Sequence, residues 1–367
     1  MRVLVTGSRG FIGKNLTCAL RQQGFEVEEY YRGKSFSELE QSCMECDFVF
    51  HLAGINRPEA QNEPFSANGG FTAVLLNCLS KRETACPVVF ASSIQARQEN
   101  AYGKSKKECE QLLLTYGQET NTPVFLVRLP NVFGKWSKPE YNSAVATFCH
   151  HISRGIPIQL HDPDAEVALV YIDDVVEQLV SLLKQPSVFS AYPEVAPVTR
   201  ITVGELAAKL RRFQQERTRL AVPDISDPFE KKLYSTYISF LPEDGFSYPL
   251  VKHVSEESSF VEFLKLPERG QVSVNTIRPG IVKGNHWHHT KLEKFLAVSG
   301  EGMIRFRRLG ETEILEYPVS GKRPVVVEAP PGYTHQIENT GGSDLVLVLW
   351  ANEIFDPEHQ DTYFLEV

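Results

Sequence analysis

A short apolar run, Val3-Leu4-Val5-Thr6, meets Gly7-x-x-Gly10-x-x-Gly13 six residues into the chain, and an amphipathic stretch follows at once. Strand, glycine turn and helix in that order narrow the fold sharply. The chain must turn tightly, the backbone N–H groups must lie open, and the new helix must pack closely on the strand, so side chains are excluded at those three positions. A helix N-terminus approached in this way favours negative charge and suits a pyrophosphate. We therefore expect a dinucleotide site built from Gly7, Arg9, Gly10, Phe11, Ile12 and Gly13.

The pattern continues as that opening requires. Strand-like runs are expected at Val3–Thr6, Phe25–Tyr31, Phe48–Leu52, Val88–Ala91 and Val124–Arg128, with helix-like segments such as Ile12–Gln23, Phe71–Lys81 and Lys104–Tyr116 between them. Alternation of this kind predicts βαβ units and a Rossmann-type, doubly wound parallel sheet, an α/β domain. NAD sites usually carry an acidic residue at the end of the second strand. Here that end reads Tyr30-Tyr31-Arg32-Gly33-Lys34, and a guanidinium at Arg32, with Arg9 closing over it, suits the 2′-phosphate of NADPH.

At 367 residues the chain exceeds the usual span of one core. Its texture changes near Pro242, Gly245 and Pro249, beyond which short strand-like runs are separated by Gly/Pro turns. We expect domains at 1–245 and 246–367, the second an all-β barrel. A net charge of −8 argues against nucleic-acid binding, and no apolar run is long enough to span a bilayer. No targeting segment is expected. The seven cysteines fall between Cys18 and Cys149, an odd number that points to reduced thiols and a cytoplasmic location. Cys43-x-x-Cys46 lacks two further ligands nearby and is read as structural.

Tyr102-x-x-x-Lys106 puts a phenol and an ammonium on one helical face. The ammonium is expected to lower the phenol's pKa and help it give a proton to a developing alkoxide, with Ser93, preferred over Ser92, bonded to the same oxygen. In the second domain, His286-x-His288 would point two imidazoles to one side of a strand, with Glu293 and His335 joining from neighbouring strands. Three imidazoles and a carboxylate suit one divalent ion, zinc first, with manganese, nickel or iron as alternatives. His289 and Trp287 should face away from it, and His359 and Tyr363 are read as tail residues that could reach a barrel mouth.

These pieces resemble the extended short-chain dehydrogenase/reductase family: the glycine motif, His51-Leu52-Ala53-Gly54, Asn68-Gly69-Gly70, Ser92-Ser93, Tyr102/Lys106, Arg128-Leu129-Pro130-Asn131 and Tyr171-Ile172-Asp173-Asp174-Val175. The resemblance implies cofactor contacts from Leu52, Ala53, Gly54, Tyr102 and Lys106, and a nucleotide-sugar diphosphate beside Asn131. The stretch between Arg32 and Asp47 is short for the family, as is the gap between Ser93 and Tyr102. The second half, with Gly280-x5-His286-x-His288-x4-Glu293-x6-Gly300 and Pro330-x-Gly332-x2-His335-x3-Asn339, resembles the two-part cupin signature.

The fusion is similar to the bifunctional UDP-sugar reductases of bacterial capsule and O-antigen synthesis. That likeness implies a homodimer acting on a UDP-4-keto-6-deoxy-amino-sugar. Its cupin would epimerise carbon 3 and its reductase would reduce the 4-ketone with NADPH, giving UDP-2-acetamido-2,6-dideoxy-L-talose, a precursor of N-acetyl-L-fucosamine. The alternatives are a reductase with a purely structural cupin, and an NADPH-sensing regulator. A sensor needs no proton donor, so Tyr102, Lys106 and Ser93 weigh against it.

Overall fold

The computed structural model describes residues 1–57, 65–184, 192–356 and 358–367. It divides into two compact units, Met1–Arg211 with Ile225–Pro242, and Arg212–Asp224 with Glu243–Val367.

The first unit opens with β1 (Arg2–Thr6), α1 (Phe11–Gln22), β2 (Glu26–Tyr30), α2 (Phe36–Glu45), β3 (Phe48–His51), α3 (Ala67–Leu79), β4 (Val88–Ser93), α4 (Ala101–Thr120) and β5 (Val124–Leu129). The five strands form a parallel sheet in the order β2-β1-β3-β4-β5. Successive side chains alternate between its faces. Val3, Val5, Phe48 and Phe50 join α1 and α6 (Ile172–Lys184) in one core, while Leu4, Val49, Val88 and Phe90 join α2, α3 and α4 in the other. Burial on both faces explains why these runs read as continuously apolar. Cys43, Cys46, Cys78, Cys86 and Cys109 are free thiols packed into that second core. Helix α2 was not singled out from sequence. It begins at Ser35, whose hydroxyl accepts from the Glu38 N–H while the Glu38 carboxylate accepts from the Ser35 N–H, a reciprocal cap.

The strand order reverses between β1 and β3, so the chain leaves the sheet on either side of one crevice. Gly7 lies at its edge with φ +69°, and a Cβ there would come within 2.7 Å of the Ala53 nitrogen after β3. At Gly13 a Cβ would meet the Gly7 carbonyl oxygen at 2.2 Å. Both glycines are required by close approach of backbone. A small sheet of β6 (Asn131–Phe133), β7 (Glu166–Tyr171) and β8 (Thr199–Thr202), with α5 (Ala144–Ser153), α7 (Val203–Thr218) and α8 (Pro228–Ser239), extends this architecture.

The second unit holds β9 (Lys252–Val254), β10 (Ser258–Leu266), β11 (Gly270–Ile277), β12 (Val282–Trp287), β13 (Glu293–Ser299), β14 (Glu301–Arg308), β15 (Ile314–Ser320), β16 (Val326–Ala329), β17 (Tyr333–Asn339), β18 (Leu345–Ala351) and β19 (Tyr363–Phe364). They make two antiparallel sheets, β16-β13-β18-β11-β10-β9 and β15-β14-β17-β12-β19, which form a cupin barrel. Ile277, Phe295, Ile304, Phe306, Leu345 and Leu347 fill its interior. The buried Asn339 side chain donates to the Ile277 and Ser343 carbonyls and so ties the two sheets at one end.

Candidate active site and metal centre

A cavity of about 690 Å³ opens at the strand-order reversal, among the described residues of the first unit. Its wall includes Gly7, Gly10, Phe11, Ile12 and Gly13 from the glycine turn, Leu52 and Gly54 after β3, and Ser93, Tyr102, Lys106 and Asn131. Ala53 stands behind the wall, against Gly7. Arg9 and Arg32 both border the cavity, and the Arg9 guanidinium lies 3.5 Å from the centroid of the Tyr31 ring. That stacking holds a planar cation beside the end of β2.

Tyr102 borders the cavity from the first turn of α4. The Asn100 side chain caps the helix by accepting from the Gly103 N–H at 2.7 Å. One turn on, Lys106 is buried, its Nζ donating to the Ala91 carbonyl at 2.9 Å. Burial pushes this ammonium down to about 8. The Lys106 ammonium, expected from the spacing to lower the Tyr102 phenol, does not set the balance here. Burial dominates and pushes the phenol up to about 12, while the neighbouring Ser93 hydroxyl pulls the other way. Lys106 Nζ lies 5.9 Å from the Tyr102 ring centroid and does not offset the desolvation.

The adjacent serines face different partners. Both border the cavity, but the Ser92 hydroxyl donates to Glu110, which also pairs with Arg128, whereas the Ser93 hydroxyl oxygen accepts from the Gln95 N–H at 3.2 Å. Asn131, on β6, donates to the Ala168 carbonyl at 3.3 Å. Asn68 clamps the loop after β3, accepting from Ile55 N–H at 2.7 Å and donating to its carbonyl and to Ser105. Two wall residues had no sequence signal: Asn56, whose Oδ1 accepts from the Tyr102 hydroxyl at 3.0 Å, and Tyr141, whose main chain and hydroxyl bond reciprocally with Arg57. Both come from irregular segments whose course local pattern does not specify.

In the barrel, His286, His288, Glu293 and His335 bring one donor atom each to within 4.8 Å of one another. His286 on β12 pairs in register with His335 on β17, and Glu293 opens β13. Glu293 Oε2 lies 3.2 Å from His335 Nε2 and 3.4 Å from His288 Nε2. Those separations match the edge of a tetrahedron with bonds of about 2.1 Å, roughly 3.4 Å. His288 Nε2 is buried without a hydrogen bond, as a metal donor needs to be, while His335 Nε2 is turned to Glu293. The set fits a divalent ion. Burial alone would raise Glu293, but the flanking His288 and His335 imidazoles and the Lys291 ammonium, 3.2 Å away, hold it well below the usual carboxylate range. Burial pushes His286 down to about 4. His289 is exposed and packs with Trp287 and Tyr363, ring centroids 4.5 Å and 5.0 Å away. His359 is paired with Asp356 at the surface.

Comparison with known proteins agrees with both halves. Residues 3–193 match the NAD dependent epimerase/dehydratase family, and residues 253–363 the polysaccharide biosynthesis C-terminal domain. The chain is 44% identical to the UDP-2-acetamido-2,6-beta-L-arabino-hexul-4-ose reductase of Pseudomonas aeruginosa, covering 100% of this chain and 99% of that one. A crystal structure of the capsular polysaccharide assembling protein CapF from Staphylococcus aureus superposes with a TM-score of 0.94 at 46% identity, over 100% of both chains. The NAD complex of Thermus thermophilus UDP-glucose 4-epimerase, 20% identical with a TM-score of 0.55, covers 65% of this chain and 99% of that one, and shares the fold of the first unit.

Proposed function

This chain belongs to the NAD dependent epimerase/dehydratase family and, over its full length, to the group of the hexul-4-ose reductase, and from that membership we propose that it is a bifunctional nucleotide-sugar enzyme. Residues 1–245 are the NADPH-dependent reductase domain and residues 246–367 the cupin domain. The substrate is a UDP-linked 4-keto-6-deoxy-2-acetamido sugar. The cupin epimerises carbon 3, and the reductase converts the 4-ketone to the alcohol of UDP-2-acetamido-2,6-dideoxy-L-talose, a precursor of N-acetyl-L-fucosamine. The same reading makes the enzyme a cytoplasmic homodimer with one zinc ion in each barrel.

One observation carries the reductase reading: Ser93, Tyr102 and Lys106 share a cavity wall with the glycine turn. NADPH supplies the hydride when bound. Gly7, Gly10 and Gly13 give its pyrophosphate open backbone, and Arg9 and Arg32 favour a 2′-phosphate. Tyr102 passes its hydroxyl proton to the oxygen that was the ketone, Ser93 orients that oxygen, and Lys106 places positive charge beside the phenol that is losing its proton. Asn131 is assigned to the sugar diphosphate.

At carbon 3, the neighbouring ketone makes the C–H acidic. Inversion removes that proton to a base, forms the enolate and returns a proton to the opposite face. A divalent ion held by His286, His288, Glu293 and His335 supplies positive charge, and four protein ligands favour its bracing the barrel. Mixing the protein, NADPH and a UDP-4-keto-6-deoxy-amino-sugar tests the proposal. Cofactor absorbance should fall and a reduced UDP-sugar appear. Full-length folded protein that consumes no NADPH would refute it.

A further inference from the structure

The loop that carries two of the proposed metal ligands is held by the C-terminal tail through one residue. Asp361 Oδ1 accepts from the His289 N–H at 2.9 Å, and Oδ2 accepts from the N–H groups of Thr290 and Lys291 at 2.7 and 3.0 Å and from the Thr290 hydroxyl at 3.0 Å. Three successive N–H groups converging on one carboxylate make a fixed anion nest. These residues lie between His288 and Glu293. The main-chain carbonyl of the same residue accepts a close hydrogen bond from His288 Nδ1. With the proton held on Nδ1, the lone pair of His288 Nε2 points into the ligand cluster, where that atom has no hydrogen bond.

From this geometry we infer that Asp361 is a positioning residue for the metal centre: its carboxylate anchors the ligand loop and its carbonyl sets the tautomer of His288. The inference rests on the metal reading above. Closing the sheet edge does not account for it. Pairing of Phe364 with His286 and of Tyr363 with Trp287, together with the Leu365 N–H donating to Asn285 O at 2.9 Å, already covers that edge. Asp361 instead ties the segment between the ligands, which belongs to no strand.

Outer contacts of this kind change metal affinity by about 10–100-fold. Full-length wild type, Asp361→Asn and Asp361→Ala should be stripped, titrated with zinc against a chromophoric chelator, and refilled with cobalt(II) for visible absorption. We expect affinity to fall in the order wild type, Asn, Ala, with Ala about 10–100-fold weaker and its cobalt bands shifted, while the melting temperatures of the metal-free proteins stay together. If the Ala variant does not fold, the isosteric Asn variant carries the test, with a severalfold loss expected. Wild-type affinity in the folded variants, or a loss matched by lower metal-free stability, overturns the inference and leaves the metal reading intact. Wild-type protein that binds neither ion overturns both.

Discussion

The Tyr102 hydroxyl donates to Asn56 Oδ1 at 3.0 Å, so the proposed proton donor is engaged by an amide oxygen from the loop after β3. A substrate ketone must compete for the same O–H. Hydrogen bonds of this type are worth about 0.5–1.5 kcal/mol net, or roughly 2–10-fold. Asn56→Ala should lower KM for the 4-keto-sugar by that factor with little change in kcat, read from steady-state reduction. A higher KM would mean that Asn56 binds the sugar.

Lys106 should make the proposed reduction pH-dependent. Its folded value, about 8, lies below the ordinary 10.5, so the ammonium is lost early and kcat/KM should fall as pH passes about 8. The stability consequence has a definite sign. Between about 8 and 10.5 the unfolded chain holds a proton that the folded chain has released, so folding stability rises with pH there, by at most about 1.4 kcal/mol per pH unit. Urea unfolding of wild type beside Lys106→Met isolates this contribution. Parallel pH curves for the two proteins would contradict it.

Arg32 should select the cofactor. Arg32→Ala is expected to raise KM for NADPH about tenfold or more, the equivalent of a charge-assisted hydrogen bond of ~1.5–3 kcal/mol, and to leave NADH nearly unaffected. Equal changes for both cofactors would remove Arg32 from the 2′-phosphate.

Tyr102→Phe separates the two chemistries, which are assigned to different units. Reduction should drop by about 10²–10⁴-fold, the usual contribution of a positioned acid, while proton exchange at carbon 3 continues in heavy water. Proton NMR follows both. Loss of exchange in a folded variant would show that Tyr102 serves the epimerisation too.

Replacing His288 with Gln tests what the ion does. Bracing predicts lower metal content and a lower melting temperature, with carbon-3 exchange surviving in proportion to folded protein. If exchange disappears while the melting temperature holds, the ion acts on the substrate oxygen.

Much of the fold was legible in the chain because it depends on local chemistry. Glycines at 7, 10 and 13, β-branched runs buried on both faces, and the His-x-His with Glu293 and His335 each impose a geometry that few other residues satisfy. They determined a Rossmann-type sheet, a barrel, and the grouping of His286, His288, Glu293 and His335. Tertiary structure decided the rest. That Glu110 takes up the Ser92 hydroxyl depends on how β4 packs against α4. The Tyr102 phenol rises to about 12 because burial, absent from any spacing rule, outweighs its partners. Asn56 and Asp361 reach their sites along irregular segments from 46 and 73 positions away. No periodicity specifies such paths: a loop's course is set by what it packs against, and that is known only once the chain has folded.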